Sequence, residues 1–462
     1  MFSNKVCKAI LVCLVLAIGS SALFAQITVP AQDPSKPSYP NITFNGQIRY
    51  RSELDGRFFD GTQKPLFINM LRSQVSLKFG LSENITALVR VQDSRNFGET
   101  QDAAWRGTLD GRADNLDFRE AWLEWRNFLV SGLSLKLGRQ IFATNNERLI
   151  GALEWHNVGR SYDGATLVYA TPEKTQIRAF GFVLGNDELL MTSAERQNPQ
   201  GIIGIDLTLA LQQAFNIFLY HDRYERKLRP AAFVVMGDST SFQRTTAGLY
   251  LKNVVDGWEY EFEGAYQFGV KQDIPIAGQN SNISAYLLTG YMGKRFTTQS
   301  NQHASVGIGL DYYTGDNLAS ANVYEGFNHL TTTIHKFYGY MDFFPFAILP
   351  NAGLRRTPAI TNYGLFDPYV RLTYAPDAQT DMYIAGHYFV SQQSIVLPQG
   401  RRAQNIGVEL DATLNYKITS FLQAQCGWSV FIPNEVMRET NPTRGLGTDL
   451  GYWGYVMLTA TL

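Results

Sequence analysis

The chain has 462 residues, 13% of them aromatic and 18% charged, with 40 glycines and a formal net charge of −1. The aromatic content and the mildly negative mean hydropathy exclude both a disordered chain and a bundle of membrane helices. So small a net charge also excludes a polybasic attraction to nucleic acid.

The first element is an address. Lys5 and Lys8 precede an apolar run from Ala9 to Ile18, and the small residues of SSALFAQ follow, which predicts a secretory signal peptide over residues 1–25. Cleavage after Ala25 puts Leu23 at the minus-three position, and cleavage after Ala22 is the alternative. Cys7 and Cys13 lie in that leader, so Cys426 alone remains in the mature chain and no internal disulfide can form. Residues 26–43 include the Pro-rich stretch AQDPSKPSYPN and read as a periplasmic lead-in.

From Phe44 the chain alternates with period two. In FNGQIRYRSE, Phe44, Ile48 and Tyr50 share one face and Gln47, Arg49, Arg51 and Glu53 the other. RSQVSLKFGL and IGVELDATLNYK repeat the split. Strands are expected near 44–53, 70–81, 84–94, 117–127, 132–140, 163–170, 175–184, 202–210, 213–222, 243–252, 257–270, 283–295, 303–313, 364–374, 380–391, 405–417, 420–431 and 450–462. Many are about ten residues, the length of a tilted membrane-spanning strand. No apolar run of about twenty residues follows the leader, which excludes membrane helices.

The connections alternate between long (54–69, 95–116, 141–162) and short (TPEK, NVVD, PDAQ). That asymmetry predicts an all-β fold, a transmembrane antiparallel β-barrel of about 18 strands over residues 44–462, in the cell outer membrane. Its outer face would meet outer-membrane lipid and lipopolysaccharide. HKFYGYMDFF (335–344) is assigned to a loop, because a nineteenth strand would break the parity. Trp258, Tyr260, Phe262, Tyr266 and Phe268 on one strand, with Trp453 and Tyr455 on the last, are expected in the interfacial girdles.

Such a barrel encloses an aqueous lumen, and its polar phase carries the function. Early strands contribute Arg49, Arg51, Arg72, Lys78, Arg90, Arg126, Lys136 and Arg178, whereas later ones contribute Glu259, Glu261, Glu263, Asp311, Glu409 and Asp411, interspersed with Arg244, Lys252, Lys294 and Arg371. A basic wall facing a mixed or acidic one favours an anion path along the basic side. The segment LGRQIFATNNERLIGALEWHNVGRSYDG (137–164) gathers further charge in an outer loop. Strict alternation puts Arg139 on the lipid face, and Gly138 is expected to provide a bulge that turns it inward.

The motifs LGRQ, ERLIG and LEWHNVGRSYDGA, with TGDN (314–317) and HKFYGYMD (335–342), resemble the alginate export family of outer-membrane porins over most of the mature chain. The resemblance implies an 18-stranded monomer with an electropositive constriction that passes an anionic, uronate-rich polysaccharide or oligosaccharide. It further implies Arg139, Arg148 and Arg160 as constriction cations, Glu147 and Asp163 as their pairing carboxylates, and Trp155 as the anchor of the loop. A general diffusion porin for small solutes is the alternative, and a secreted carbohydrate lyase a third reading. The six histidines have no metal-ligand spacing, and neither HExxH nor GxSxG occurs, so no enzyme, metal or cofactor is expected.

Overall fold

The computed structural model describes residues 38–97, 116–185, 200–210, 214–224, 240–273, 280–297, 302–317, 319–320, 322–344, 363–442 and 446–462. The leader lies outside these residues, as do most of the lead-in and several outer connections.

Nineteen strands follow in order: β1 (Asn41–Gly56), β2 (Leu66–Gly80), β3 (Ile85–Phe97), β4 (Leu116–Arg126), β5 (Leu133–Gln140), β6 (Tyr162–Ala170), β7 (Gln176–Gly185), β8 (Gln200–Ala210), β9 (Ala214–Tyr224), β10 (Thr240–Val255), β11 (Trp258–Asp273), β12 (Asn280–Thr297), β13 (His303–Tyr313), β14 (Val323–Tyr324), β15 (Leu365–Ala375), β16 (Thr380–Val396), β17 (Arg402–Lys417), β18 (Leu422–Pro433) and β19 (Gly451–Thr461). Eighteen of them form one antiparallel barrel. Each pairs with its sequence neighbour, β13 passes directly to β15, and β1 closes on β19 from Gln47↔Thr461 to Gly56↔Tyr452. The remaining strand, β14, is a two-residue parallel addition to β12. Residues 335–344 form no strand and begin within a single 3-10 turn at Ile334–Lys336, so the even parity holds.

Burial is inverted relative to a water-soluble protein. Ile48, Val75, Leu288, Ile308, Leu410 and Val456 are exposed, while Arg49, Arg51, Arg72, Glu263, Asp311 and Glu409 are buried. An apolar surface covering the whole outside of a sheet is stable only against lipid. Leu288 sits near the middle of β12 and is 56% exposed, whereas its neighbour Leu287 faces inward at 0%. Leu288→Arg is therefore expected to lower stability by about 2–4 kcal/mol. The check is urea unfolding in lipid vesicles; an unchanged midpoint would place Leu288 in water.

Several strands run beyond their expected ends, chiefly on the side of the long connections. β12 begins with NSN and β16 continues through QQSIV, where alternation fades because neither face meets lipid. This extension reduces the connection between β16 and β17 to residues 397–401. β1 likewise starts at Asn41, inside the expected lead-in. Trp258, Phe262, Tyr266 and Phe268 do face outward. Trp453 and Tyr455 do not: at 2% and 5% exposure they face the lumen, in phase with Asp55 and Glu53 opposite them, and leave Val456 and Leu458 to the lipid.

Candidate functional site

Two outer connections, residues 141–161 and the described part of the connection after β13, chiefly residues 322–344, turn into the barrel and meet there. Ile150 pairs in parallel with Thr331. The Gly151 N–H donates to the Thr331 carbonyl (2.9 Å), and the N–H groups of Thr331 and Thr333 donate to the carbonyls of Leu149 (2.9 Å) and Glu147 (3.0 Å). Phe142, Leu149 and Ile150 from one loop join Phe327, Leu330, Tyr338 and Met341 from the other in a single apolar core. The two loops thus form one plug across the lumen, and the walls hold it by opposite chemistry.

The basic wall holds carbonyl oxygens. Arg49 donates to the carbonyls of Glu154 (2.7 Å), Trp155 (3.2 Å) and His156 (3.0 Å). Arg51 donates to the Trp155 carbonyl (2.7 Å), stacks 4.1 Å over the Trp155 ring and pairs with Glu53 at 2.8 Å. Arg72 reaches both the carbonyl and the carboxylate of Glu154 at 3.2 Å. Arg119 pairs with the same carboxylate and donates to Ser161 Oγ (2.8 Å). A Cβ at Gly159, whose φ is +74°, would stand 2.6 Å from the Arg119 guanidinium, so this approach requires glycine. Arg51, Arg72 and Arg119 thus pair with two carboxylates, Glu53 and Glu154, while Arg49 holds carbonyl oxygens and has no carboxylate of its own among the described residues. The His156 imidazole, although open to the lumen, is pushed down to about 4, by desolvation first and then by Arg51 and Arg49.

The acidic wall holds amides. Glu409 accepts from the Met341 N–H (2.7 Å) and Asp411 from the Tyr340 N–H (3.3 Å). Gly339 adopts φ +82°, and a Cβ there would strike the Glu409 carboxylate. Trp155 seals the joint between the loops: its ring stacks on His335 at 3.9 Å and meets Tyr455 edge-on at 4.7 Å.

The three loop-region arginines separate into three roles. Arg139 stays on the outward face, which corrects the expectation of a bulge. The β5–β6 register is unbroken from Leu133↔Tyr169 to Gln140↔Tyr162, so each residue alternates, despite a φ of +119° at Gly138. At the outer end of β5 its guanidinium pairs with Asp163 (2.8 Å) and Asp117 (3.2 Å) and donates to the Phe118 carbonyl (2.6 Å). Arg160 does not pair with Asp163. It donates to the carbonyls of Gly151 (3.0 Å), Thr332 (3.1 Å) and Thr331, fastening loop to loop.

Arg148 is buried against the acidic wall, 2.9 Å from Asp311 and 3.5 Å from Glu263, with Phe337 stacked 3.9 Å away. Its expected partner Glu147 pairs instead with Lys336 and accepts from Thr333 Oγ1 (2.6 Å). Burial alone would raise the Glu147 carboxyl, but the bonds from Lys336 and Thr333 outweigh it and hold the group below its ordinary range. Of the other candidate cations, Arg90 pairs with Glu120 (3.2 Å), and Arg178 with Asp206 (2.8 Å) and the Ala143 carbonyl (3.1 Å).

On the side of the short turns, a cavity of about 470 Å³ opens under the plug. Arg49, Lys336, Trp155, Tyr340, Tyr383 and Tyr455 line it, with Glu147, Glu154 and Asp381. A second, more enclosed cavity of about 80 Å³ adjoins it and is lined by Arg148, Arg371, Tyr291 and Tyr369. Arg119, Lys336, Arg371 and Tyr383 are thus added to the site. Arg119 escapes a period-two reading because a bulge opposite Arg90 and Val91 turns both Arg119 and Glu120 inward. Lys336 lies within HKFYGYMD, a loop segment whose sequence carries no period to say that its side chain enters the lumen. Among the described residues no cluster of His, Cys, Asp and Glu has the geometry to hold a metal ion.

A family model described as "Alginate export" matches residues 40–445. Several solved porins share the fold. OpdK from Pseudomonas aeruginosa is 11% identical with a TM-score of 0.54, the match covering 91% of this chain and 99% of that one. A BenF-like porin from Pseudomonas fluorescens Pf-5 is 10% identical, with a TM-score of 0.56 and coverage of 91% and 98%. OccK2 (OpdF) from Pseudomonas aeruginosa, solved in complex with glucuronate, is 9% identical, with a TM-score of 0.54 and the same coverage. No curated protein sequence matches the chain.

Proposed function

The chain belongs to the alginate export family of outer-membrane β-barrel porins, transport proteins rather than enzymes, and from that premise we propose that it passes an anionic, uronate-rich saccharide through a positively charged section of its lumen. The observation that carries this reading is the bank of Arg49, Arg51, Arg72 and Arg119, which has two more cations than carboxylates and reaches the larger cavity through Arg49. Fixed cations in a narrow, low-dielectric channel raise the local anion concentration. The rings of Trp155, Tyr340, Tyr383 and Tyr455 in the same cavity suit the apolar faces of a sugar ring. Glucuronate in the complex of OccK2 is a monomer of this chemical class.

A general diffusion pore for small solutes is the second reading. It is favoured by Glu147, Glu154 and Asp381, which give the cavity a mixed lining. Planar-bilayer recordings of the purified barrel separate the two. A reversal potential showing anion preference, weakened by high salt, is expected, together with block by uronate oligomers and not by neutral ones. Arg139→Gln should leave both unchanged, because that side chain lies outside the lumen. Cation preference, or equal block by neutral oligomers, would transfer the assignment to the diffusion pore.

A further inference from the structure

We propose that Arg371 and the tyrosines around it form a second acidic-sugar subsite, continuous with the Arg49 cavity, so that the pore engages successive residues of one oligosaccharide. This rests on the anionic-saccharide reading and adds a position on the opposite wall.

Arg371 stands apart from its neighbours. On this wall Arg148 pairs with Asp311, Lys252 with Glu261 and Arg295 with Glu259. Among the described residues Arg371 has no carboxylate within ion-pair distance: its guanidinium meets the Tyr291 side chain instead, and its buried Nε, like that of Arg148, has no hydrogen-bond partner. A guanidinium in a desolvated setting with an unmet donor is suited to a planar carboxylate.

The aromatic surroundings are built for a ring. Tyr291 lies against Gly293 and Gly307, and Tyr369 against Gly309, where a Cβ would come within about 2.4 Å of the tyrosine atoms. Both rings therefore lie flat on the wall and nearly parallel, at 3° and 6.4 Å. The Arg371 guanidinium packs 3.5 Å from the Tyr291 centroid. Tyr340 and Tyr383, stacked at 5.4 Å, line both cavities, as does Lys336.

Size sets the occupancy. The 80 Å³ cavity admits a carboxylate and part of a ring, while the adjoining 470 Å³ holds a whole sugar residue. One acidic residue would place its carboxylate on Arg371, its ring on the tyrosine platform, and the next residue beside Lys336 and Arg49.

The test is channel block by a uronate monomer, a uronate hexamer and a neutral hexamer, on wild type, Arg371→Gln and Arg371→Lys, each first shown to be folded by heat-modifiable migration. Arg371→Gln should weaken hexamer block about tenfold and reduce the hexamer's advantage over the monomer, with Arg371→Lys recovering part of it. Unchanged hexamer block in folded Arg371→Gln overturns the subsite and leaves the anionic-saccharide reading standing. An equal loss for the neutral hexamer also overturns it, assigning Arg371 to wall structure. If uronates fail to block the wild type, the parent reading fails as well.

Discussion

Replacing Arg148 by leucine is expected to raise the single-channel conductance severalfold while leaving a folded barrel. Arg148 fastens the first loop of the plug to the acidic wall, and the side chains in that contact are 5%, 1% and 3% exposed for Arg148, Glu263 and Asp311. Removing one partner of such a buried group costs about 3–5 kcal/mol, because the remaining charges are left uncompensated. The strand ladders close without the loop, and its departure returns Glu263 on β11 and Asp311 on β13 to water, which relieves that cost. Release of residues 146–148, held also by Asn146 on Glu261 (2.9 Å), should therefore open the lumen rather than unfold the barrel. Combining Arg148→Leu with Glu263→Gln and Asp311→Asn removes the uncompensated carboxylates and should restore much of the closed state. If the single variant is folded and conducts like the wild type, Arg148 is not what holds the plug.

The barrel was legible because lipid imposes a simple rule on sequence. A strand with water on one side and hydrocarbon on the other must alternate, and Phe44, Ile48 and Tyr50 against Arg49 and Arg51 already state the phase. The same rule misplaced Trp453 and Tyr455, since an aromatic ring suits a girdle and a lumen core equally well. It also hid Arg119, because a bulge breaks the count. The loop arginines were not legible at all in this way. Arg139, Arg148 and Arg160 share one segment, yet one faces outward, one is buried on the far wall and one binds carbonyls of another loop. Arg139 does pair with Asp163 from the same stretch, but the other partners, Asp117, Asp311 and Thr332, lie elsewhere in the chain, and only the tertiary fold brings them together. The charge asymmetry between early and late strands is offset in part by Glu53, Asp55, Glu120 and Asp206, which pair with arginines in the first half of the chain, and much of the remainder holds the plug, with carbonyls toward the arginines and amides toward the carboxylates.

The double substitution Arg49→Gln, Arg72→Gln should abolish the anion preference and loosen the other end of the same plug. The bank exceeds its carboxylates by two charges, and the substitution removes two, so the reversal potential should fall to that of a neutral or weakly cation-preferring pore. Hydrogen bonds from charged donors contribute about 1.5–3 kcal/mol each, and the carbonyls of Glu154, Trp155 and His156 lose several together. Current noise from residues 152–158 should increase. These residues and Arg148 belong to one body through the Ile150–Thr331 pairing, so loosening either end lowers what the other end still holds. Adding Arg148→Leu should therefore change the open probability by less than the sum of the separate effects, a coupling of about 0.5–3 kcal/mol for groups in one connected network. Strict additivity would mean that the loop is held as two independent segments, and a retained anion preference in the folded double variant would move the selectivity of this pore away from its basic wall.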